Sequence, residues 1–486
     1  MVRGSSARGG LRLEAHKERS TRDPIGMAAA PSTAVLPLDQ HSGCAAVPIV
    51  AVDDTVAIGQ PIAQPATDTS AWLHAPISGR IVAIEPRASA TRDCAPALSI
   101  VIDNEGREMR HSQARTIEDF LSVEPLELRE HIGRGGIVGL GGAAFPTLAK
   151  LEHAAQAAAP TLLINGAECE PYISCDGMLM RERPHDVVHG ARILMHALQA
   201  QECVIALEDD APEAADALRA AIAQTEDGRI RVQVVPTIYP SGGERQLIAS
   251  VFGREVPFNG LPPDIGILCH NVGTAAATAR WVRDGEPLVS RVVTITGDGV
   301  KRACNLEVRL GTPISQLIAG CGGYTPRVER LLMGGTMMGI ALSTDEVPVV
   351  KATNCIVAAS ALDLEPRQPE MPCIRCGNCS EVCPAFLLPQ QLHVNARALD
   401  LGGLERYGLM DCIECGCCDY VCPSQIPLVE RFREAKPRLA AHLLARGNAR
   451  DARLRFEERT ARLQRLEAEQ RQRLEEKRRQ ARRKDA

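Results

Sequence analysis

The sequence predicts a multidomain α/β chain that ends in a cysteine-rich α-helical unit and a long helix, and three observations predict it. At 486 residues and 45% hydrophobic content, the chain is too long for one compact unit and can bury several cores. Its hydrophobic pattern changes along its length: short Val/Ile runs set between Gly and Pro come first, and short apolar runs alternating with Ala-rich helical stretches follow. Nine of the eighteen cysteines then fall between Pro372 and Leu428, ahead of a stretch rich in Ala, Leu, Glu and Arg, which is the composition of a long helix.

Residues 1–110 form the first expected unit, an N-terminal β module. Val47 to Ile102 reads as short strands, and Gly59-Gln60-Pro61-Ile62-Ala63 and His74-Ala75-Pro76-Ile77-Ser78-Gly79-Arg80-Ile81-Val82 look like the two strand-and-turn halves of a barrel-sandwich. A carrier domain of that shape needs a lysine at its hairpin tip, and this stretch has none, which leaves a packing or docking module. Residues 120–285 form an α/β domain, with Thr161-Leu162-Leu163-Ile164 and Val204-Ile205-Ala206-Leu207 as strand candidates. Val292 to Gly297, Leu306 to Val308 and a helix candidate after Thr312-Pro313 give a β-grasp-like insert over 286–345. The cysteine-rich unit covers 360–435, and an Arg-rich helical tail 436–486. Leu454, Leu463, Leu466 and Leu474 are too sparse there for sustained heptads, so a solvated single helix is expected.

A net charge of -5 gives no overall basic field, and an aromatic content of 3%, with only Trp72 and Trp281 as tryptophans, offers no stacking platform. Nucleic acid is therefore not an expected partner. No apolar run approaches the roughly 18 residues of a membrane span, and Met1 to Asp23 is charged with no apolar core of a signal peptide. A soluble, cytoplasmic protein with reduced thiols is expected, and its cysteines read as metal ligands rather than disulfides.

Cys373-Ile-Arg-Cys376-Gly-Asn-Cys379-Ser-Glu-Val-Cys383-Pro384 and Cys412-Ile-Glu-Cys415-Gly-Cys-Cys418-Asp-Tyr-Val-Cys422-Pro423 both fit C-x2-C-x2-C-x3-C-P. The short spacings let three thiolates of one loop reach three irons of a cubane, while the fourth cysteine points to the companion cluster. Crossed ligation is expected: Cys373, Cys376, Cys379 and Cys422 on one [4Fe–4S] cluster, and Cys412, Cys415, Cys418 and Cys383 on the other. A pair of zinc sites would instead combine separated C-x2-C hooks. Cys417 breaks the spacing from Cys415 and reads as a bystander. Two cubanes pass one electron at a time, so hydride chemistry in such a chain needs a two-electron converter, a role that a flavin fills.

Gly135-Gly136-Ile-Val-Gly139-Leu-Gly141-Gly142-Ala-Ala-Phe145-Pro146-Thr147-Leu-Ala-Lys150 runs from a glycine-rich loop into a helix beginning near Pro146. Free backbone N–H groups at a helix start suit a phosphate, and Lys150 adds a point charge. A plain turn remains an alternative. Asn165-Gly166-Ala-Glu168-Cys169-Glu170-Pro171 follows a predicted strand end, where ligand-binding loops of α/β sheets collect. A solvated acidic loop would read the same way.

The Gly139 to Lys150 run resembles the flavin loop of the NADH-binding flavoprotein subunit of respiratory complex I. The chain as a whole is similar to the RnfC family, the flavin-bearing, NADH-facing components of Rnf (Rsx) electron-transport complexes. That likeness spans Gly9-Gly10 with His16-Lys17, Pro37-Leu38-Asp39-Gln40-His41-Ser42-Gly43, the barrel-sandwich segment, Tyr239-Pro240-Ser241-Gly242-Gly243-Glu244-Arg245-Gln246-Leu247, Asn271-Val272-Gly273-Thr274, Gly334-Gly335-Thr336-Met337-Met338-Gly339 and both cysteine runs. Leu140 stands where the complex I relatives carry arginine. The resemblance implies a flavin/NADH domain of the complex I flavoprotein type, an SLBB-type β-grasp domain and a bacterial ferredoxin-like 2[4Fe–4S] domain. It further implies a non-covalent FMN held by Gly139, Gly141, Gly142 and Lys150, with Asn165, Glu168 and the Asn271 to Thr274 loop around its ribityl and phosphate groups. Phe145, Glu170 and Glu208 would face the nicotinamide nucleotide. NADH as substrate, ferredoxin as an indirect partner, membrane subunits of an ion-pumping complex, and a peripheral place on the cytoplasmic face of the bacterial inner membrane belong to the same implication. A cluster-only adaptor and a soluble NADH-dependent hydrogenase or dehydrogenase subunit are the competing readings.

Overall fold

The structure is a computed structural model that describes residues 9–484 apart from 92, 113–114, 158, 226, 259 and 365–367. The first eight residues of the expected 1–110 unit, like residues 485–486 of the tail, lie outside the described residues.

The N-terminal module is a pair of antiparallel sheets. One orders Thr33–Pro37, Pro96–Asn104, Gly79–Ala88 and Thr55–Val56, and the other Val47–Pro48, Pro61–Gln64 and Leu73–His74. Period-two alternation along the strands puts Ile62, Ile81, Ile100 and Ile102 inside, and Ile77 from the bend before Gly79–Ala88 joins them, each without solvent exposure.

The α/β domain carries a four-stranded, wholly parallel sheet ordered Ile230–Val235, Glu202–Glu208, Thr161–Gly166, Ile267–Asn271. Its strands read as nearly unbroken apolar runs because helices cover the sheet; Pro184–Leu198 and Val272–Asp284 pack on each other beside it. The chain moves outward twice from the first strand and then returns to that strand's other side. Strand order therefore reverses between Thr161–Gly166 and Ile267–Asn271, and a crevice opens there beyond the strand ends. In the register, Asn165 stands opposite Asn271.

Ser290–Thr296 and Cys304–Arg309 lead the β-grasp-like unit, with the helix Ile314–Gly320 following Thr312-Pro313. Its six-stranded sheet runs on to Cys355–Ala359, which lies between Ser290–Thr296 and Arg330–Met333, and takes Gly26–Met27 as an edge strand beside Cys304–Arg309. The β module, the α/β domain and this unit share one continuous apolar core. Where they meet, the fully buried Lys351 donates from Nζ to the carbonyls of Trp72 and Gly136, 2.7 Å each.

The cysteine-rich unit has its own core around Leu392, Leu404, Leu409, Phe432 and Leu439. The long helix spans Leu428–Lys484 and carries Pro437 inside it. It begins ahead of residue 436 because its first turns are a packing element: Leu428, Val429, Phe432, Ala435 and Leu439 are buried, and this burial outweighs the hydrogen bond that Pro437 removes. Leu444, Leu454, Phe456, Leu463, Leu466 and Leu474 are exposed. Among the described residues, no helix is long and apolar enough to cross a membrane.

Candidate functional site

The glycine loop closes on itself through Gly139 N–H to the Phe145 carbonyl (2.8 Å) and Ala144 N–H to the Gly139 carbonyl (3.0 Å). Gly142 sits at φ 106 with open space where a Cβ would stand, and Ala144 is left-handed at φ 48. Gly141, Gly142 and Ala143 are exposed, directly ahead of the helix Thr147–Gln156 that follows Pro146. Three clamps hold this loop over the crevice, the first from the β module, where Ser42 donates from its hydroxyl to the Ala143 carbonyl (2.6 Å) and from its N–H to the Ala144 carbonyl (3.1 Å). The Thr274 hydroxyl accepts from Leu140 N–H at 2.9 Å and donates to the Val138 carbonyl at 3.1 Å. From the β-grasp unit, the buried Arg291 donates to the carbonyls of Leu140 (3.1 Å) and Lys351.

Asn271 caps the helix Val272–Asp284, accepting from Gly273 N–H at 2.8 Å, and its amide donates to Asp176. A Cβ on Gly141 would lie 3.5 Å from Asn271. The structure thus gathers Gly139, Gly141, Gly142, Phe145, Asn271 and Thr274 at one end of the sheet, with Asn165 across the register. Asn165 serves locally as a lock, donating to the Gly242 carbonyl (2.8 Å) and accepting from Ala167 N–H (2.9 Å). Lys150 turns elsewhere: its ammonium binds Glu244 at 2.7 Å and the Cys269 carbonyl at 3.0 Å, fastening the helix to the sheet.

Three glutamates line the same strand ends. Glu168 accepts from the N–H groups of Asp176 (3.0 Å) and Gly177 (3.1 Å) at the start of the helix Cys175–Glu182. Glu170 accepts from Met337 N–H (2.7 Å) and Met338 N–H (2.9 Å), tying the α/β domain to the Gly334 to Gly339 turn. Glu208 accepts from the Ser241 hydroxyl at 2.8 Å through Oε1, while its buried Oε2 has no partner. Burial pushes all three carboxyls up to about 7, with the Asp176 charge adding to the effect on Glu168.

For Glu208 the sign is testable. Its folded pKa lies above the unfolded one, so between about pH 4.5 and 7 the native state holds a proton that the unfolded state has lost, and stability falls as pH rises through that window. Glu208→Gln keeps an acceptor for Ser241 and removes the titration. It is expected to match the natural chain near pH 4 and to exceed it at pH 8 by about 1–3 kcal/mol, since a tenfold change in proton affinity is worth about 1.4 kcal/mol. Urea unfolding at both pH values checks this; equal stability at pH 8 contradicts it.

The two cysteine runs fold alike. Arg375 and Gly377 take left-handed φ values of 58 and 89, and Glu414 and Gly416, at the matching positions, take 59 and 80. Cys383 of the first run lines one cavity with Cys412, Cys415 and Cys418 of the second, and Cys379 lies within reach of the charges of Cys376 and Cys422. These groupings fit the crossed ligation expected for two cubanes. Cys417 is buried against Tyr239 and Cys415, with Cys169 and Met337 packed on that cluster, and it also lines the cavity of Cys383, Cys412, Cys415 and Cys418. The buried Tyr239 hydroxyl donates to the Cys415 carbonyl. One cysteine loop therefore rests directly on the crevice that holds Glu170.

For FMN, the donor set also fits: exposed successive amides at Gly141 to Ala143 in front of a helix start suit a phosphate, and polar side chains rim the crevice beside them. Sequence reasoning missed Arg291, Asp176 and Lys17 as parts of this neighbourhood. The His16-Lys17 pair carries a family signal that could have pointed to Lys17, whereas Arg291 sits in an apolar strand that gives no local signal.

Comparison with known proteins agrees with this architecture. Residues 5–107 match the RnfC barrel sandwich hybrid domain, 132–280 the Nuo51 FMN-binding domain, 292–341 the SLBB domain and 371–426 a 4Fe–4S dicluster domain. The C subunit of the ion-translocating oxidoreductase complex of Pseudomonas aeruginosa is 48% identical over 459 residues, which cover 94% of this chain and 59% of that protein. Its namesake in Rhodobacter capsulatus is 43% identical over 442 residues, covering 90% of this chain and 83% of that protein. A chain of the NAD+-reducing [NiFe]-hydrogenase in the H2-reduced state aligns at 17% identity over 67% of this chain and 66% of its own, with a TM-score of 0.45, too slight a likeness to argue from. The identity to the Rhodobacter relative over most of both lengths, together with the four domain matches in order, shows that the chain belongs to the RnfC family, the C subunits of ion-translocating oxidoreductase complexes.

Proposed function

We propose that this chain is the part of an ion-translocating oxidoreductase complex at which NADH meets FMN and from which electrons move singly, through two [4Fe–4S] clusters, toward or from ferredoxin and the membrane subunits. When bound, FMN supplies the exchange between a two-electron hydride and single electrons, and the clusters carry the latter. The protein's part is positional. The amides of Gly141 to Ala143 hold the phosphate end, Thr274 and Arg291 keep their loop over the crevice, and Glu168, Glu170 and Glu208 shape its polar wall. The chain sits as a peripheral subunit on the cytoplasmic face of the membrane.

One observation carries this reading: Tyr239 joins the Cys415 loop to the crevice. The site of Cys412, Cys415, Cys418 and Cys383 therefore adjoins the crevice. The site of Cys373, Cys376, Cys379 and Cys422 faces outward, with Cys373 and Cys376 exposed, where a one-electron partner can approach. An adaptor without a flavin site would need neither the open glycine loop nor this contact.

The test is anaerobic. The chain is reconstituted with iron, sulfide and FMN, freed of unbound flavin, and given NADH while flavin absorbance and cluster EPR are followed. Bleaching together with reduced-cluster signals supports the reading. Retained FMN that NADH leaves oxidised, with clusters that only dithionite reduces, favours the adaptor.

A further inference from the structure

The segment ahead of the β module does not belong to that module in space. Gly10 N–H bonds the Val382 carbonyl (2.9 Å) beside the cysteine unit, and Leu11 pairs both ways with Tyr239 (2.7 and 2.9 Å). Ala15 accepts from Tyr172 N–H (2.8 Å), His16 stacks on the Tyr172 ring at 4.8 Å, and the Ser20 hydroxyl meets that of Ser174 at 2.7 Å. The strap thus crosses from the cluster unit along the C-terminal edge of the parallel sheet. A Cβ on Gly10 would stand 2.6 Å from the Tyr239 carbonyl, so only glycine fits at φ 83 there.

The strap carries Lys17 to the strand ends. Its ammonium binds Asp210 at 2.7 Å and lies within electrostatic reach of Glu168 and Glu208. Only one of its three N–H donors is taken by that bond. Glu208, 2% exposed, lies within reach of that charge and has a partnerless Oε2. Asp210 follows the strand Glu202–Glu208, whereas the glycine loop is held at the strand Ile267–Asn271, and the central strand Thr161–Gly166 separates the two. The sheet edge therefore presents hydrogen-bond donors at two positions, the amide loop and the Lys17 ammonium, one on each side of the strand Thr161–Gly166. One phosphate group fills the amide loop; a second ligand with its own phosphates needs the other.

We infer that Lys17 is a binding residue for the phosphate-bearing nicotinamide nucleotide, delivered to the crevice by the N-terminal strap. This rests on the reading that NADH enters this crevice. The ammonium offsets the three surrounding carboxyls and turns from Asp210 to the incoming pyrophosphate.

The test uses the reconstituted holoprotein with Lys17→Met, Lys17→Arg and Asp210→Asn. Flavin content and dithionite-reduced EPR are measured first, then equilibrium binding of ADP-ribose, which carries the pyrophosphate and no nicotinamide, and then KM and kcat for NADH. Lys17→Met is expected to weaken ADP-ribose binding and raise KM by at least about tenfold, with kcat within about twofold and the cofactors retained; Lys17→Arg recovers most of the loss. Asp210→Asn, which frees the ammonium, should leave binding unchanged or tighter. If Lys17→Met and Asp210→Asn weaken binding alike, the pair is structural and the inference fails. Loss of flavin from Lys17→Met, or unaltered ADP-ribose binding, overturns it equally. If the natural chain itself is not reduced by NADH, the reading beneath the inference fails, and that result is distinct from all of these.

Discussion

Replacing Cys383 by alanine is expected to abolish the cluster of the other cysteine run. Cys383 lines a cavity with Cys412, Cys415, Cys417 and Cys418 of the second run, whereas Cys373, Cys376 and Cys379 of its own run do not line it, so its loss leaves the cubane of Cys412, Cys415 and Cys418 with three thiolates. Iron should fall from about eight to about four per chain, the content of one cubane. The decisive comparison is with Cys412→Ala and Cys376→Ala. Crossed ligation makes Cys383→Ala and Cys412→Ala leave the same residual EPR spectrum, that of the outward cluster, while Cys376→Ala leaves the other. NADH should then fail to reduce the cluster remaining in the first two variants, which dithionite still reduces. In Cys376→Ala the cluster beside Tyr239 is expected to remain NADH-reducible. A spectrum of Cys383→Ala that matches Cys376→Ala would show uncrossed ligation.

The legibility of this molecule in its sequence follows the range of the interactions involved. Cluster ligands must lie a few residues apart because one loop wraps one cubane, and so all eight cysteines stand out at fixed spacing. The glycine loop is also local, since its shape depends on residues that tolerate left-handed backbone; Gly142 shows the need, and Ala144 meets it at some cost. Lys150 illustrates the limit. Its position one turn into the helix suggests a phosphate ligand, but Glu244, distant in sequence, takes its charge. Glu208 looks like any acidic residue at a strand end until the structure buries it and leaves Oε2 without a partner. The tail helix is visible in composition, but its start is not: the turns from Leu428 to Leu439 are set by packing against Leu392 and Leu404, which a run of single residues does not encode.

Arg291 is where such long-range design has its largest energetic consequence. It extends from the strand Ser290–Thr296 into the α/β domain with 5% exposure, and its guanidinium joins the Leu140 carbonyl in the glycine loop to the Lys351 carbonyl at the three-unit junction. Burial holds its pKa below the usual guanidinium value, and the nearby Cys175 and Asp176 only partly offset that. Arg291→Met would strand two carbonyls and leave Asp176 without that countercharge. The cost expected from unsatisfied buried polar groups and a broken buried charge contact is about 3–5 kcal/mol. The loop, freed from the clamp nearest its Leu140 carbonyl, should then lose FMN on gel filtration. The cysteine unit has a separate apolar core, so iron content and dithionite-reduced EPR should persist. Lysine is a poor substitute, because one ammonium on a flexible stem cannot span both carbonyls as the planar fork does; Arg291→Lys should recover less than half of the lost flavin. Flavin-to-protein ratio, iron content and thermal unfolding of the three chains decide the matter. Full flavin retention in Arg291→Met would mean that Thr274 and Ser42 hold the loop without it, and simultaneous loss of iron would mean that the two cores are coupled through Tyr239 more tightly than their packing implies.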